Sequence, residues 1–344
     1  MKDKRSKVLL IYTGGTIGMM HDALTGSLKP FNFKALTHQI PELKKFDVEL
    51  NSISFKHPID SSDMQPEVWI EMAQIIQKNY SKYDGFVILH GSDTMSFTAS
   101  ALSFMLENLA KPVVLTGSQL PIGTIRTDGK ENLITSIEIA AARGKNGKPI
   151  ISEVCIYFEY KLYRGNRTFK FNSEHFDAFK SPNYPHLAEA GVNIGYNSMA
   201  IASPTTKTLK VHAKLRNDIA VLHLFPGISK KMVASVLNTS GIKAVIMLTF
   251  GAGNATTKDW FISELKEAVK KGIIIYNVTQ CQQGGVVQGM YQTSAKLKSI
   301  GVVSGYDITF EAAVTKLMFL LGQKLPTKKI KNLLETNLRG EISK

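Results

Sequence analysis

Short apolar runs of strand length alternate along this chain with longer segments whose apolar residues recur every three or four positions. That alternation is the signature of a parallel sheet wound by crossover helices. Residues 8–12, 86–90, 113–116 and 154–158 read as buried strands, and 66–79, 95–109 and 132–142 read as helices between them. Pro66 suits a first helical turn, where its missing N–H is not needed, and Trp69, Met72, Ala73 and Ile76 fall on one helical face. The alternation resumes with strands at 219–225, 244–250 and 273–278 and helices at 230–237, 260–271, 310–321 and 328–335. The expected fold class is therefore α/β, with two domains, each a largely parallel sheet flanked by helices, the N-terminal one larger. Residues 1–196 and 217–344 are the expected domains. Residues 197–216 read as the linker, since they carry Ser203-Pro204-Thr205-Thr206 and little periodicity.

Length and composition narrow the class. At 344 residues and 44% apolar content the chain exceeds what one hydrophobic core usually serves. No apolar run approaches the roughly 20 residues of a membrane span. Lys2, Lys4, Arg5 and Lys7 precede an apolar stretch, but that stretch runs straight into Thr13-Gly14-Gly15-Thr16 with no small-residue cleavage site, so it reads as a first strand and not as a signal peptide. Two cysteines, Cys155 and Cys281, make no disulfide framework and no paired metal-ligand spacing, so a cytoplasmic, reducing location without metal or other cofactor is expected. The net charge of +14 raises nucleic acid as a partner. The charges are scattered, and the clusters at 2–7 and 328–331 lack interleaved aromatics, so they read as solvated surface, with neither nucleic acid nor membrane expected as partner.

In open α/β sheets, ligands sit beyond the carboxyl ends of the strands. Three turns there join glycine to hydroxyl side chains: Thr13-Gly14-Gly15-Thr16-Ile17-Gly18, His90-Gly91-Ser92-Asp93-Thr94-Met95 and Thr116-Gly117-Ser118-Gln119. None is a dinucleotide fingerprint or a phosphate loop. No Gly-x-Ser-x-Gly elbow or His-Glu-x-x-His motif occurs either, and His90 reads as a packed strand-end histidine, not a general base. A hydroxyl nucleophile without histidine needs another base, and lysine is the usual substitute. Lys170, in Tyr163-Arg164-Gly165-Asn166-Arg167-Thr168-Phe169-Lys170, is a candidate, although a lysine in a basic loop is by itself most simply a surface charge.

Taken together, these turns resemble the bacterial-type L-asparaginase family, especially its cytoplasmic type I branch. The strand followed by Thr13-Gly14-Gly15-Thr16-Ile17 and the strand followed by His90-Gly91-Ser92-Asp93-Thr94-Met95 carry the resemblance. Asp60-Ser61-Ser62-Asp63-Met64, the Thr116 turn, the Tyr163–Lys170 segment, residues 250–254 and Asn337-Leu338-Arg339-Gly340-Glu341 extend it over essentially the whole chain. The resemblance implies Thr16 as nucleophile, Ser92 as second catalytic hydroxyl coupled to Lys170, and Asp93 as the anion that holds a substrate α-ammonium group. It also implies that Ser61 bonds the α-carboxylate, that Ser118 contributes to substrate binding, and that Asn254 reaches substrate from a neighbouring subunit. The implied activity is hydrolysis of L-asparagine to L-aspartate and ammonia, with weak L-glutaminase activity, by a homotetramer built as a dimer of dimers.

The chemistry is coherent without the family name. Amide hydrolysis passes through a tetrahedral oxyanion, and losing one donor to it costs about 100- to 1000-fold in rate. The Gly-rich turn and the Gly91–Ser92 peptide supply backbone N–H groups for that task. Two departures stand out. Family members commonly carry a tyrosine about ten residues after the nucleophile, where this chain has Thr25-Gly26-Ser27-Leu28, which leaves open how Thr16 loses its proton. Ser92 replaces a threonine, keeping the hydroxyl but not the methyl that restrains χ1. Two other functions share the scaffold: the glutaminase component of a tRNA-dependent amidotransferase, and a non-catalytic amino-acid-binding regulator. Seven residues precede the first strand, which argues against the extra N-terminal domain of the former. The intact Thr16, Ser92, Asp93 and Lys170 argue against the latter.

Overall fold

Among the described residues eight strands form the larger sheet, five of them in parallel, and the inner parallel strands are those whose sequences allow burial on both faces. The computed structural model describes residues 5–18, 20–21, 28–29, 40–289 and 292–344. The Thr25-Gly26-Ser27 stretch and residues 2–4 of the basic N-terminal cluster lie outside the described residues. Two compact units are present, residues 1–213 and 214–344.

In unit 1 the strands are β1 (Ser6–Tyr12), β2 (Val48–Ser54), β3 (Gly85–Leu89), β4 (Val113–Thr116), β5 (Val154–Phe158), β6 (Lys161–Arg164), β7 (Ala188–Ala190) and β8 (Ile194–Tyr196). Their order across the sheet is β8-β7-β6-β5-β4-β3-β1-β2. The pairs from β2 to β5 are parallel, and those from β5 to β8 are antiparallel. β3 and β4 are buried along their whole length, as a sheet covered on both faces requires. β2 (VELNSIS) is only partly buried and pairs on one side alone, with β1, so its sequence carries no continuous apolar run.

Helix α1 (Pro66–Asn79) has proline in its first turn and buries Trp69, Met72, Ala73 and Ile76. Helix α2 (Met95–Met105) is enclosed on nearly every side, which its small residues Ser96, Ala99, Ser100 and Ala101 permit. It stops short of the expected residue 109, because Leu106–Glu107 leaves the helix to pair antiparallel with Lys210–Val211. A tertiary strand pair therefore overrides helix propensity. Lys210–Val211 lies within the stretch that the sequence reading sets apart as linker, and residues 197–213 cluster with unit 1. Helix α3 (Gly129–Ala141) packs Leu133, Ile137, Ile139 and Ala140 into the core beside Val8, Leu10 and Tyr12 of β1.

Unit 2 is a four-stranded parallel sheet, β9 (Ile219–His223), β10 (Ala244–Thr249), β11 (Ile274–Thr279) and β12 (Val303–Ser304), in sequence order. Its helices are α4 (Lys230–Leu237), α5 (Asp259–Lys270), α6 (Gln292–Ser299), α7 (Phe310–Gly322) and α8 (Thr327–Leu334). Ser229 and Thr309 cap α4 and α7 by accepting from Met232 and Ala312 amides, which satisfies donors a helix start leaves unpaired. Lys316 and Glu341, both fully buried, meet at 2.6 Å. Lys316 Nζ also donates to the carbonyls of Leu334 and Thr336, while the Glu341 carboxylate accepts from the Leu338 and Arg339 amides. The Asn337–Glu341 motif is thus a buried anchor for the end of α8. No helix among the described residues is long and apolar enough to cross a membrane.

Candidate active site

The chain runs from β1 outward to β2, then crosses back over β1 to lay down β3, β4 and β5 on the other side. Strand order therefore reverses between β1 and β3, and the carboxyl ends at such a reversal are where sheets of this kind hold ligands. The turn after β1 holds Thr16, which opens a short 3-10 helix, Thr16–Gly18. The turn after β3 holds Ser92 and Asp93.

Their backbones touch. Gly15 has φ +85°, and a Cβ there would lie 2.4 Å from the Gly91 nitrogen; a Cβ on Gly91 would lie 2.5 Å from Ser61 Oγ. Only glycine lets the three segments approach this closely. The contacts are reinforced by Thr13, whose amide and hydroxyl both donate to Leu89 O at 3.1 and 3.0 Å, and by Thr94 Oγ1, which donates to Ser61 O at 2.7 Å. Ser61 is buried and begins its own 3-10 turn, capped by Asp60, which accepts from the Ser62 amide at 2.9 Å.

Lys170 arrives from the opposite side. Arg164 and Arg167, buried ahead of it, both lie over the Tyr184 ring, at 4.3 and 5.1 Å from its centroid. Arg164 also grips Glu153 at 2.5 Å and the Ala200 carbonyl at 2.9 Å. Residues 165–167 pack against α2, and Phe169–Lys170 pairs antiparallel with Phe179–Lys180. This frame delivers the ammonium nitrogen of Lys170 to 2.9 Å from Ser92 Oγ and 2.6 Å from Asp93 Oδ1. The lysine side chain is 16% exposed, against 64% for Asp93, so the carboxylate faces outward over a sheltered ammonium.

The third turn closes the group. Ser92 Oγ also lies 3.2 Å from Gln119 Oε1, and Gln119 Nε2 donates to His175 O at 3.2 Å. Ser118, almost fully buried, donates to Leu120 O at 2.6 Å within its own turn. Buried Asp128 organises that turn by accepting from the Gln119 and Leu120 amides and from Asn132 Nδ2. Burial pushes its carboxyl above the usual range, against the downward pull of those amides. Neither Gln119 nor Asp128 is singled out by sequence reasoning. Gln119 closes the third glycine turn, and Asp128 precedes α3 with nothing local to mark it.

His90 is fully buried, as a strand-end histidine is expected to be. Its Nδ1 lies 2.6 Å from Gly91 O and its Nε2 lies 2.9 Å from Thr98 Oγ1, which in turn accepts from Trp69 Nε1 at 2.9 Å. Burial lowers its pKa from 6.5 to about 4, against the smaller upward effect of the Gly91 carbonyl, so the ring is neutral at pH 7.

Asn254 belongs to unit 2. It ends a tight turn in which Phe250 and Asn254 exchange backbone hydrogen bonds at 2.8 and 2.9 Å, and Asn277 Nδ2 and Thr279 Oγ1 hold the carbonyls of Gly253 and Gly251. Unit 1 therefore gathers Thr16, Ser61, Ser92, Asp93, Ser118 and Lys170 on adjoining turns, and Asn254 stands in a separate frame. No group of His, Cys, Asp and Glu among the described residues could hold a metal ion.

Hydroxyls on glycine turns and a lysine–carboxylate pair, gathered at a topological switch point, place the chain among α/β enzymes. Residues 7–202 match the family model described as asparaginase, N-terminal, and residues 218–334 match the glutaminase/asparaginase C-terminal domain. The chain belongs to the asparaginase family. It is 42% identical over 345 residues to L-asparaginase 1 of Escherichia coli (strain K12), covering 99% of each chain. It is 40% identical to the 60 kDa lysophospholipase of Mus musculus, covering 98% of this chain and 62% of that protein. Among solved structures, L-asparaginase I from Vibrio cholerae superposes with a TM-score of 0.90 at 40% identity, covering 99% of this chain and all of that one.

Proposed function

We propose that this protein hydrolyses the side-chain amide of L-asparagine to L-aspartate and ammonia by double displacement. The observation that carries the reading is the Lys170 ammonium within hydrogen-bond reach of both Ser92 and Asp93, on the turn that lies against the turn of Thr16. Thr16 Oγ attacks the amide carbon, and the Gly91–Ser92 peptide N–H helps hold the resulting oxyanion. The tetrahedral adduct collapses with cleavage of the C–N bond, and the amine leaves as ammonia after gaining a proton. Water then attacks the Thr16 ester and releases L-aspartate. Ser92 and Lys170 pass protons between Thr16, the leaving amine and water.

Selection of an amino acid rests on two charge-assisted contacts, each roughly twice as strong as a neutral hydrogen bond. The outward-facing Asp93 carboxylate takes the α-ammonium group, and Ser61 bonds the α-carboxylate. Ser118 acts through the shape of its turn, and Asn254 reaches the substrate from a neighbouring subunit of a homotetramer assembled as a dimer of dimers. Weak turnover of L-glutamine and a cytoplasmic location complete the reading.

Ammonia release measured from L-asparagine and L-glutamine over a wide concentration range tests it. The expected result is saturable release from L-asparagine and much slower release from L-glutamine. Binding of either amino acid without ammonia release would make the chain an amino-acid-binding regulator and end the proposal.

A further inference from the structure

Trp69 is marked by sequence only as part of the apolar face of α1, yet its indole N–H begins an unbroken line of hydrogen bonds that ends at the candidate site. Trp69 Nε1 is a donor only, so at 2.9 Å it must donate to Thr98 Oγ1. Gly91 O is an acceptor only, so at 2.6 Å His90 Nδ1 must carry the proton. In a neutral imidazole that leaves Nε2 as an acceptor, and the Thr98 hydroxyl at 2.9 Å is its donor. Every link thus has one allowed direction: indole to hydroxyl, hydroxyl to imidazole, imidazole to carbonyl. All three side chains are buried, and His90 and Thr98 are fully so.

The last link decides which way a peptide faces. In a trans peptide the C=O and the following N–H point in opposite directions, and the described residues contain no cis bond. Drawing Gly91 O inward to the imidazole turns the Ser92 N–H away from it. That N–H is the donor that would hold the oxyanion, and the Gly91 Cα at the start of the peptide that carries it lies against Gly15 on one side and Ser61 on another. We propose that Trp69, Thr98 and His90 form a one-way hydrogen-bond chain that fixes the Gly91–Ser92 peptide with its N–H facing the reacting carbonyl, making Trp69 and Thr98 positioning residues for amide hydrolysis. The proposal rests on the amidohydrolase reading and adds to it residues of α1 and α2 that lie behind the sheet end.

The test combines selective histidine 15N NMR with steady-state kinetics. In the wild-type protein at pH 7 the His90 ring, assigned by its loss in His90→Gln, should show the Nδ1–H tautomer. Thr98→Val removes both the acceptor for Trp69 and the donor to His90 while keeping side-chain shape. It should lower kcat roughly 10- to 100-fold, less than the 100- to 1000-fold cost of deleting a whole oxyanion donor, with KM within about twofold because substrate contacts are untouched. Thr98→Ser restores the hydroxyl and should restore kcat. Trp69→Phe, which removes the N–H and little else from the aromatic packing, should give a smaller loss of the same kind. An Nε2–H tautomer in the wild type overturns the chain. So does full kcat in Thr98→Val, or a loss in that variant which Thr98→Ser shares. A wild-type protein that releases no ammonia from L-asparagine, whatever its tautomer, instead overturns the amidohydrolase reading and the proposal with it.

Discussion

Lys170 and Ser92 lie 78 positions apart in the chain and 2.9 Å apart in space. The approach is arranged from two independent directions: β3 carries Ser92 to its end, and the buried arginines of the Tyr163–Lys170 segment carry the lysine in from beyond the hairpin of β5 and β6. Residues that meet in this way are coupled. Ser92→Ala and Lys170→Met should each remove most activity, and the double variant should be scarcely worse than either single one. Additive losses in the double-mutant cycle would show that the two act separately.

Thr16 stands in a loop turn and not in the packed core, so Thr16→Ala should leave the thermal transition nearly unchanged while abolishing turnover. The quantities to measure are ammonia release and the melting temperature of the same preparation. Retention of more than about a tenth of wild-type activity would rule out a nucleophilic role.

His90 gives a pH dependence of stability. Its folded-state pKa, about 4, lies below the ordinary 6.5, so the unfolded chain binds the proton more tightly. The stability it contributes is complete above about pH 6.5 and is lost as pH falls towards 4, to a total of about 3 kcal/mol. Denaturant midpoints measured between pH 7 and pH 4 should therefore fall more steeply for the wild type than for His90→Gln. Parallel curves for the two proteins would contradict this assignment.

The Lys316–Glu341 pair is inaccessible to water, and breaking one side strands a buried charge. Lys316→Met should destabilise unit 2 by about 3–5 kcal/mol, and adding Glu341→Gln should recover part of the loss. Hydrogen exchange at amides of α7 and α8, compared among the three proteins, reports the effect locally. A loss below about 1 kcal/mol in the single variant would mean that the ions are solvated in the folded state.

Much of the architecture is legible in the amino-acid sequence, and the reasons are specific. β4, β5, α1 and α4 have the boundaries expected from sequence, because continuous apolar runs or a clean helical face mark them. β2 escapes such reading, since its one-sided pairing leaves a polar pattern, and so do β6, β7 and β8, whose short antiparallel pairings need no long apolar run. Within the site, glycine and hydroxyl turns are visible because backbone approach demands glycine. Asp128, Gln119 and the Trp69–Thr98–His90 line are not, because each gains its meaning from partners 8 to 56 positions away that no local pattern couples. Trp69 illustrates the limit: its periodicity places the ring correctly on the buried face of α1, and nothing in that periodicity concerns its N–H.

The contact between Gly15 and Gly91 sets a scale. β1 and β3 are hydrogen-bonded neighbours, so the turns that continue them start about 4.8 Å apart, the spacing of any sheet. With no side chain on Gly15 or Gly91 to hold them off, the two turns stay close where these glycines meet, just beyond the strands. The sheet thus works as a ruler for what stands above it: the gap between the two turns at this contact is inherited from backbone geometry, not from the walls of a pocket. Trimming side chains cannot widen it at the Gly15–Gly91 contact, because neither residue has one. Widening that gap would require shifting a strand, and with it the register of the central sheet.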